Sequence, residues 1–138
     1  MTEPISKFKL GDDYITDFVL QETPTSYVFV EIERPQMRFF KKIIGNRPPE
    51  RTQVLNHAIE QLENWKTWIA KYHSYVSDKL PGVSPSPFFW LIAGRRILLS
   101  TTEQKRLVEI NEEYKSTYKI FTYDDLIDRV KAIISRIS

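Results

Sequence analysis

The sequence predicts an α/β domain, a mixed β-sheet core flanked by helices. Three observations carry that reading. Two β-branched and aromatic runs, Ile15–Leu20 and Tyr27–Pro35, are separated by Gln21-Glu22-Thr23-Pro24-Thr25-Ser26 and read as strands joined by a turn. Leu55, Ala58, Ile59, Leu62, Trp65, Ile69, Tyr72 and Val76 recur at three or four residues, which marks a long helix with one buried face. Phe88–Ala93 is a continuous apolar run, as expected of a strand covered on both faces.

The elements follow in order. Phe8-Lys9-Leu10 starts a first strand, and Gly11-Asp12-Asp13 supplies a turn. The chain is strand-like to about Lys42, with Arg34-Pro35 ending the second clear strand because proline cannot donate to a ladder. Ile43 to Pro49 is expected to be a mobile loop. Pro48-Pro49 suits the entry to the long helix, and Pro81-Gly82 ends it. Gly94 closes the apolar strand. Ser100-Thr101-Thr102-Glu103 fits a capping box for a helix through Leu107, Ile110 and Tyr114. Tyr118–Phe121 makes a short strand. Thr122-Tyr123-Asp124-Asp125 caps a final helix through Leu126, Val130, Ile133, Ile134 and Ile137. A length of 138 residues suits one domain, residues 1–138, with a real core.

Composition narrows the chemistry. Cysteine is absent, so thiol catalysis and disulfides are excluded. No apolar run approaches a membrane span, and the N-terminus lacks the layout of a signal peptide. The net charge of +2 does not by itself argue for nucleic acid. Basic residues do cluster at Arg38, Lys41, Lys42, Arg47 and Arg51, and again at Arg95-Arg96; a solvated surface is the commoner meaning of such clusters. There is no G-x-G-x-x-G, no P-loop and no G-x-S-x-G elbow. Two histidines, His57 and His73, give a nucleophile triad little to build on.

Acids on the two opening strands are the main chemical signal. Glu31 and Glu33 alternate onto one face, and pairing of the strands brings Asp17 beside them. Three converging carboxylates are costly unless a cation sits among them. Acids at strand ends are also common on plain surfaces, and E-x-E alone is not specific. On the helix, His57, Gln61 and Trp65 are spaced by four and share a face. His57 could act on water or phosphate, and Gln61 could bond metal-bound water or DNA; equally, both could flank the core in solvent. Trp65, Trp68, Tyr72 and Tyr75 read as core.

Taken in order, the strand bearing Asp17, Glu31-Ile32-Glu33-Arg34-Pro35, His57-Ala58-Ile59-Glu60-Gln61-Leu62, Gly94-Arg95-Arg96 and Thr122-Tyr123-Asp124-Asp125-Leu126 resemble the Shedu family. That is a bacterial anti-phage family whose C-terminal domain belongs to the PD-(D/E)XK nuclease superfamily. The resemblance covers nearly the whole chain and implies a restriction-endonuclease-like core that nicks or cleaves DNA in the bacterial cytoplasm. It implies Mg2+ or Mn2+ as cofactor, DNA as partner, a homo-oligomer and no membrane. By position, Asp17 and Glu31 match the metal-binding acids, and Gln61 matches the helix glutamine that often completes such sites. Glu33 stands where the motif has lysine; it would add a metal ligand or take a proton from water. His57 would be an accessory, and Lys41, Lys42, Arg47, Arg95 and Arg96 the phosphate-neutralising surface. The superfamily core usually opens with a helix, whereas only Met1 to about Ser6 precede the first strand here. A nuclease-fold domain that binds nucleic acid or assembles without cutting is the alternative, and a purely structural module the third reading.

Overall fold

A computed structural model describes residues 4–137; residues 1–3, which the sequence reading sets ahead of the first strand, and residue 138 lie outside the described residues. Strands β1 (Ile5–Leu10), β2 (Tyr14–Thr23), β3 (Ser26–Ile32), β4 (Phe88–Ile92) and β5 (Tyr118–Phe121) form one sheet in the order β1-β2-β3-β4-β5. The first three pair antiparallel as a meander, and β3–β4 and β4–β5 are parallel. Helices α1 (Gln53–Lys71), α2 (His73–Lys79) and α3 (Thr101–Glu113) make the crossovers, and α4 (Tyr123–Ile137) closes the described chain. The fold is therefore α/β, with a mixed sheet flanked by helices, consistent with a restriction-endonuclease-like core.

The expected strands form, with shifted ends. Strand β2 runs on to Thr23, so the turn before β3 shrinks to Pro24-Thr25. Strand β3 stops at Ile32, and residues 33–52 are irregular apart from a bridge between Phe40 and Arg51. The long helix is in fact two. At Tyr72 the backbone leaves helical values (φ −114°, ψ 39°) and re-enters the helix at His73. The break lets the His73 ring meet the Val83 carbonyl at 2.7 Å while Val76 and Leu80 stay buried.

Each face of the sheet has its own core. Phe8, Leu10, Val19, Phe29, Phe89 and Leu91 pack against the buried sides of α1, α2 and α3. Trp65 is fully buried there, and Trp68 packs against Tyr72 and Tyr75 while its indole N–H donates to Asp13. Trp65 and Trp68 are core residues, whereas Tyr72 and Tyr75, read as core from the sequence, are 42 % and 38 % exposed and pack on the outer side of Trp68. On the other face Val28, Val30, Ile92 and Phe121 meet Tyr123 and Leu126 of α4. Strand β4 thus feeds both cores, which is why its sequence does not alternate.

The caps form as expected. The Ser100 hydroxyl accepts from the Glu103 N–H, and the Glu103 carboxylate accepts from the Ser100 N–H. Thr122 and Asp125 exchange the same reciprocal pair at the entry to α4. Beyond its first turn, however, α4 departs from a core helix: Ile127, Val130, Ile133 and Ile137 are all at least 47 % exposed. Among the described residues no helix is long and apolar enough to cross a membrane.

The two kinds of apolar helix position should respond differently to truncation. Leu62→Ala, on the buried face of α1, should lower unfolding free energy by about 2–5 kcal/mol in urea titration. Val130→Ala should change it by no more than about 0.5 kcal/mol.

Candidate active site

The site forms where β3 ends. One step beyond the Phe18–Val30 pair, the antiparallel register sets Asp17 opposite Glu31. Directly opposite residues of an antiparallel pair project from the same face. That face is the one carrying Phe29, so both acids point toward α1. Asp17 is fixed by its own hydrogen bond, since the Ile32 N–H donates to its Oδ2 at 2.7 Å. On the far side of β2, the register places Lys7 opposite Asp17, with the left-handed φ of +50°; it is the one non-glycine with positive φ among the described residues. The edge strand is bent at the level of the acid.

Glu31 lines a cleft of roughly 670 Å³ with Glu33, Arg34, Arg38, His57 and Gln61, among others. Helix α1 supplies the opposite wall through Val54, His57, Ala58 and Gln61, whose spacing by three and four brings them to one side. The Thr52 hydroxyl caps α1 by accepting from the Leu55 N–H and ties that end to the irregular segment after β3 by donating to the Arg38 carbonyl at 2.7 Å.

The acids do not converge as a trio. Among the described residues, no group of three His, Cys, Asp or Glu side chains is placed to hold a metal ion. Asp17 and Glu31 form a hydrogen-bonded pair, and Glu33 stands apart from it. The reason is backbone geometry. Glu33 follows the last residue of β3, its N–H donates to the Ile92 carbonyl, and its own carbonyl accepts from the Tyr123 hydroxyl at 2.6 Å. The chain is leaving the sheet there, so strict strand alternation no longer aims the Glu33 side chain.

Two carboxyls so placed cannot both ionise cheaply. Burial raises the Glu31 carboxyl, and the hydrogen bond and charge of Asp17 and the charge of Glu33 raise it further, to about 8. Glu31 therefore holds a proton at neutral pH. Tyr123 is raised as well, by burial and then by the charges of Glu33 and Asp17.

The remaining sequence candidates divide. Gln61 and His57 do face the cleft with Glu31 and Glu33, while Trp65, in line with them on the helix, enters the core. Lys41, Lys42 and Arg47 lie on the exposed segment between β3 and α1. Arg95 and Arg96 are engaged elsewhere. Arg95 makes a two-pronged pair with Asp124, both bonds at 3.0 Å, and Arg96 bonds Asp125 and Asp128 at 2.7 and 2.9 Å. The Arg95 guanidinium beside Asp124 holds that carboxyl far below its usual range. Burial opposes the same effect at Asp125, but bonds from Arg96 and Thr122 prevail.

Two cleft features escape a reading of spacing alone: that Arg34, and Arg38 of the basic cluster, stand beside the acids, and the bond that Tyr123 makes. Arg34 and Arg38 put positive charge in the wall beside the acids. Tyr123 holds the Glu33 carbonyl from an element ninety residues away. Tyr123 does lie in the Thr122–Leu126 segment that carries the resemblance, but as a cap-region residue it gives no hint of that bond.

The family model described as Shedu protein SduA, C-terminal, matches residues 2–127. The chain belongs to that family. Its match takes in every element that builds the cleft, and the domain is a Shedu-type defence domain. A comparison with curated proteins finds no match.

The Glu31 proton has a consequence for this Shedu domain. The native state binds more protons than the unfolded chain from the ordinary glutamate range up to about pH 8, so stability must fall as pH rises through that window. Urea midpoints measured from about pH 5 to about pH 9 should decline in wild type, and Glu31→Gln should flatten the decline. Parallel curves for the two proteins would contradict the assignment of the proton to Glu31.

Proposed function

We propose that the domain hydrolyses DNA phosphodiesters in a divalent-cation-dependent reaction and nicks or cuts DNA in anti-phage defence. The observation that carries this is Glu31, paired with Asp17, lining an open cleft with Gln61, Arg34 and Arg38.

The donor set fits a hard cation. Magnesium takes oxygen ligands and commonly uses one or two carboxylates, leaving its other positions to water and phosphate. Asp17 and Glu31 supply two, and a cation bound there would displace the proton that Glu31 retains and balance the charge of both carboxylates. Bound there, Mg2+ or Mn2+ would activate water and neutralise the phosphate. Glu33 lines the same cleft and accepts the proton of the attacking water. Gln61 hydrogen-bonds that water or a phosphate oxygen, and His57 stands beside it as an accessory. Arg34 and Arg38 hold the phosphodiester. The lysine of the superfamily motif is absent at Glu33, and these two arginines are the cleft's source of positive charge.

One observation favours a second reading, in which the domain binds DNA without cutting it. A glutamate at position 33 adds negative charge where the motif has a cation. Supercoiled plasmid separates the two. With Mg2+ or Mn2+, wild type should yield relaxed and linear forms, and Glu31→Ala should abolish this while keeping its far-UV CD spectrum. Equal nicking by both proteins would remove Glu31 from the chemistry. No nicking by wild type, with activity appearing in Glu33→Lys, would establish the second reading.

A further inference from the structure

Residues 41–50 are an arm that rises from the rim of the cleft. Its base is clamped. Phe40 and Arg51 form an antiparallel bridge, the Lys41 N–H donates to the Glu50 carbonyl at 2.7 Å, and the Thr52 N–H donates to the Phe39 carbonyl at 2.9 Å. The base adjoins both walls of the cleft, since Arg38 precedes it and Val54 follows it. The arm turns at Gly45, whose φ of +61° suits glycine, and a side chain there would meet nothing within 4 Å. Residues 41–48 are exposed throughout.

What the tip carries is unusual for a solvated loop. Ile43 and Ile44 sit next to the turn, 38 % and 68 % exposed, and neither belongs to either core. Lys41 and Lys42 precede them and Arg47 follows. The one acid of the arm, Glu50, lies at its base, 3.7 Å from Lys41. An apolar point between cations is a poor solution for water alone. It suits a ligand with an anionic surface and an apolar interior that can be entered.

We infer that the 41–50 arm is a duplex-DNA arm, in which Lys41, Lys42 and Arg47 hold the phosphates astride a groove and Ile44 enters as a wedge that opens a base step and bends the helix. This rests on the DNA reading of the cleft above. Apolar wedges flanked by basic side chains kink duplexes in this way, and the unstacking is offset by added contact. Kinking also selects for flexible pyrimidine–purine steps without any hydrogen bond to a base. An anionic bilayer offers similar chemistry, but the adjoining cleft carries the acid Glu33, which an anionic sheet would repel, whereas a duplex can place a single phosphate near it.

The test uses the full chain in EDTA, so that binding is read without divalent-dependent hydrolysis. Affinity for a short duplex is followed by anisotropy against salt, and bending by energy transfer between end labels. Ile44→Ala should abolish the bend and weaken binding about tenfold with an unchanged salt slope, while Ile44→Phe keeps the bend. Lys42→Ala should keep the bend and lower the slope of log K against log salt by about one. Wild-type binding and bending by Ile44→Ala overturns the wedge alone. No salt-dependent duplex binding by wild type, or binding instead to anionic vesicles lost in Ile44→Ala, overturns the wedge together with the DNA reading.

Discussion

Strand β3 has to satisfy two pairing geometries at once, antiparallel to β2 and parallel to β4. The two ladders overlap only over Val28–Val30, and the strand stops at Ile32. The stop makes the site. Pairing with β2 ends at Val30 while pairing with β4 runs on to Ile32, and the Ile32 N–H freed on the β2 side donates to the Asp17 carboxylate, which holds that acid beside Glu31. After Ile32 the backbone bonds pass to Ile92 and Tyr123, and the chain can turn outward to build the cleft wall. The acid pair, the basic wall and the arm are successive consequences of one strand ending between two unlike neighbours.

The electrostatics of the molecule are divided in the same way. At the entry to α4, opposite charges neutralise one another: Arg95 and Arg96 meet Asp124, Asp125 and Asp128, and backbone donors complete the carboxylates. That cluster fastens the last helix to the segment after β4. In the cleft, like charges are instead forced together and one acid keeps its proton. Ion pairing is the usual state of a structural surface, whereas uncompensated like charge in a concavity is the arrangement that a ligand resolves.

Much of the fold was legible because its signals were local in sequence and simple in physics. The helical period of α1, the unbroken apolar run of β4 and the Ser100–Glu103 box each map directly onto structure. The break at Tyr72 was not legible, because Val76 keeps the same period on either side of it. Nor was the exposure of α4 beyond Leu126, since a hydrophobic stripe states what a helix can bury but not what lies beside it. At the site, strand alternation placed Asp17 and Glu31 correctly but overreached at Glu33, where the strand had already ended. Arg95 and Arg96 read as a basic patch because their acids are about thirty residues away in the chain. Pairing across such distances is invisible to spacing.

The bond from the Tyr123 hydroxyl to the Glu33 carbonyl joins two layers of the molecule that share no core. Tyr123 belongs to the packing on one side of the sheet, and the cleft opens on the other. Glu33 is thus positioned by a strut that passes through the sheet's end, and its precision is set by how firmly α4 is seated. In mechanical terms the cleft has a fixed wall and a referenced one: α1 is anchored in the large core, while the Glu33 wall takes its datum from the opposite layer. A displacement of the first turn of α4 would therefore bear on the acid wall through that one carbonyl, against the bond that ties the Glu33 N–H to Ile92.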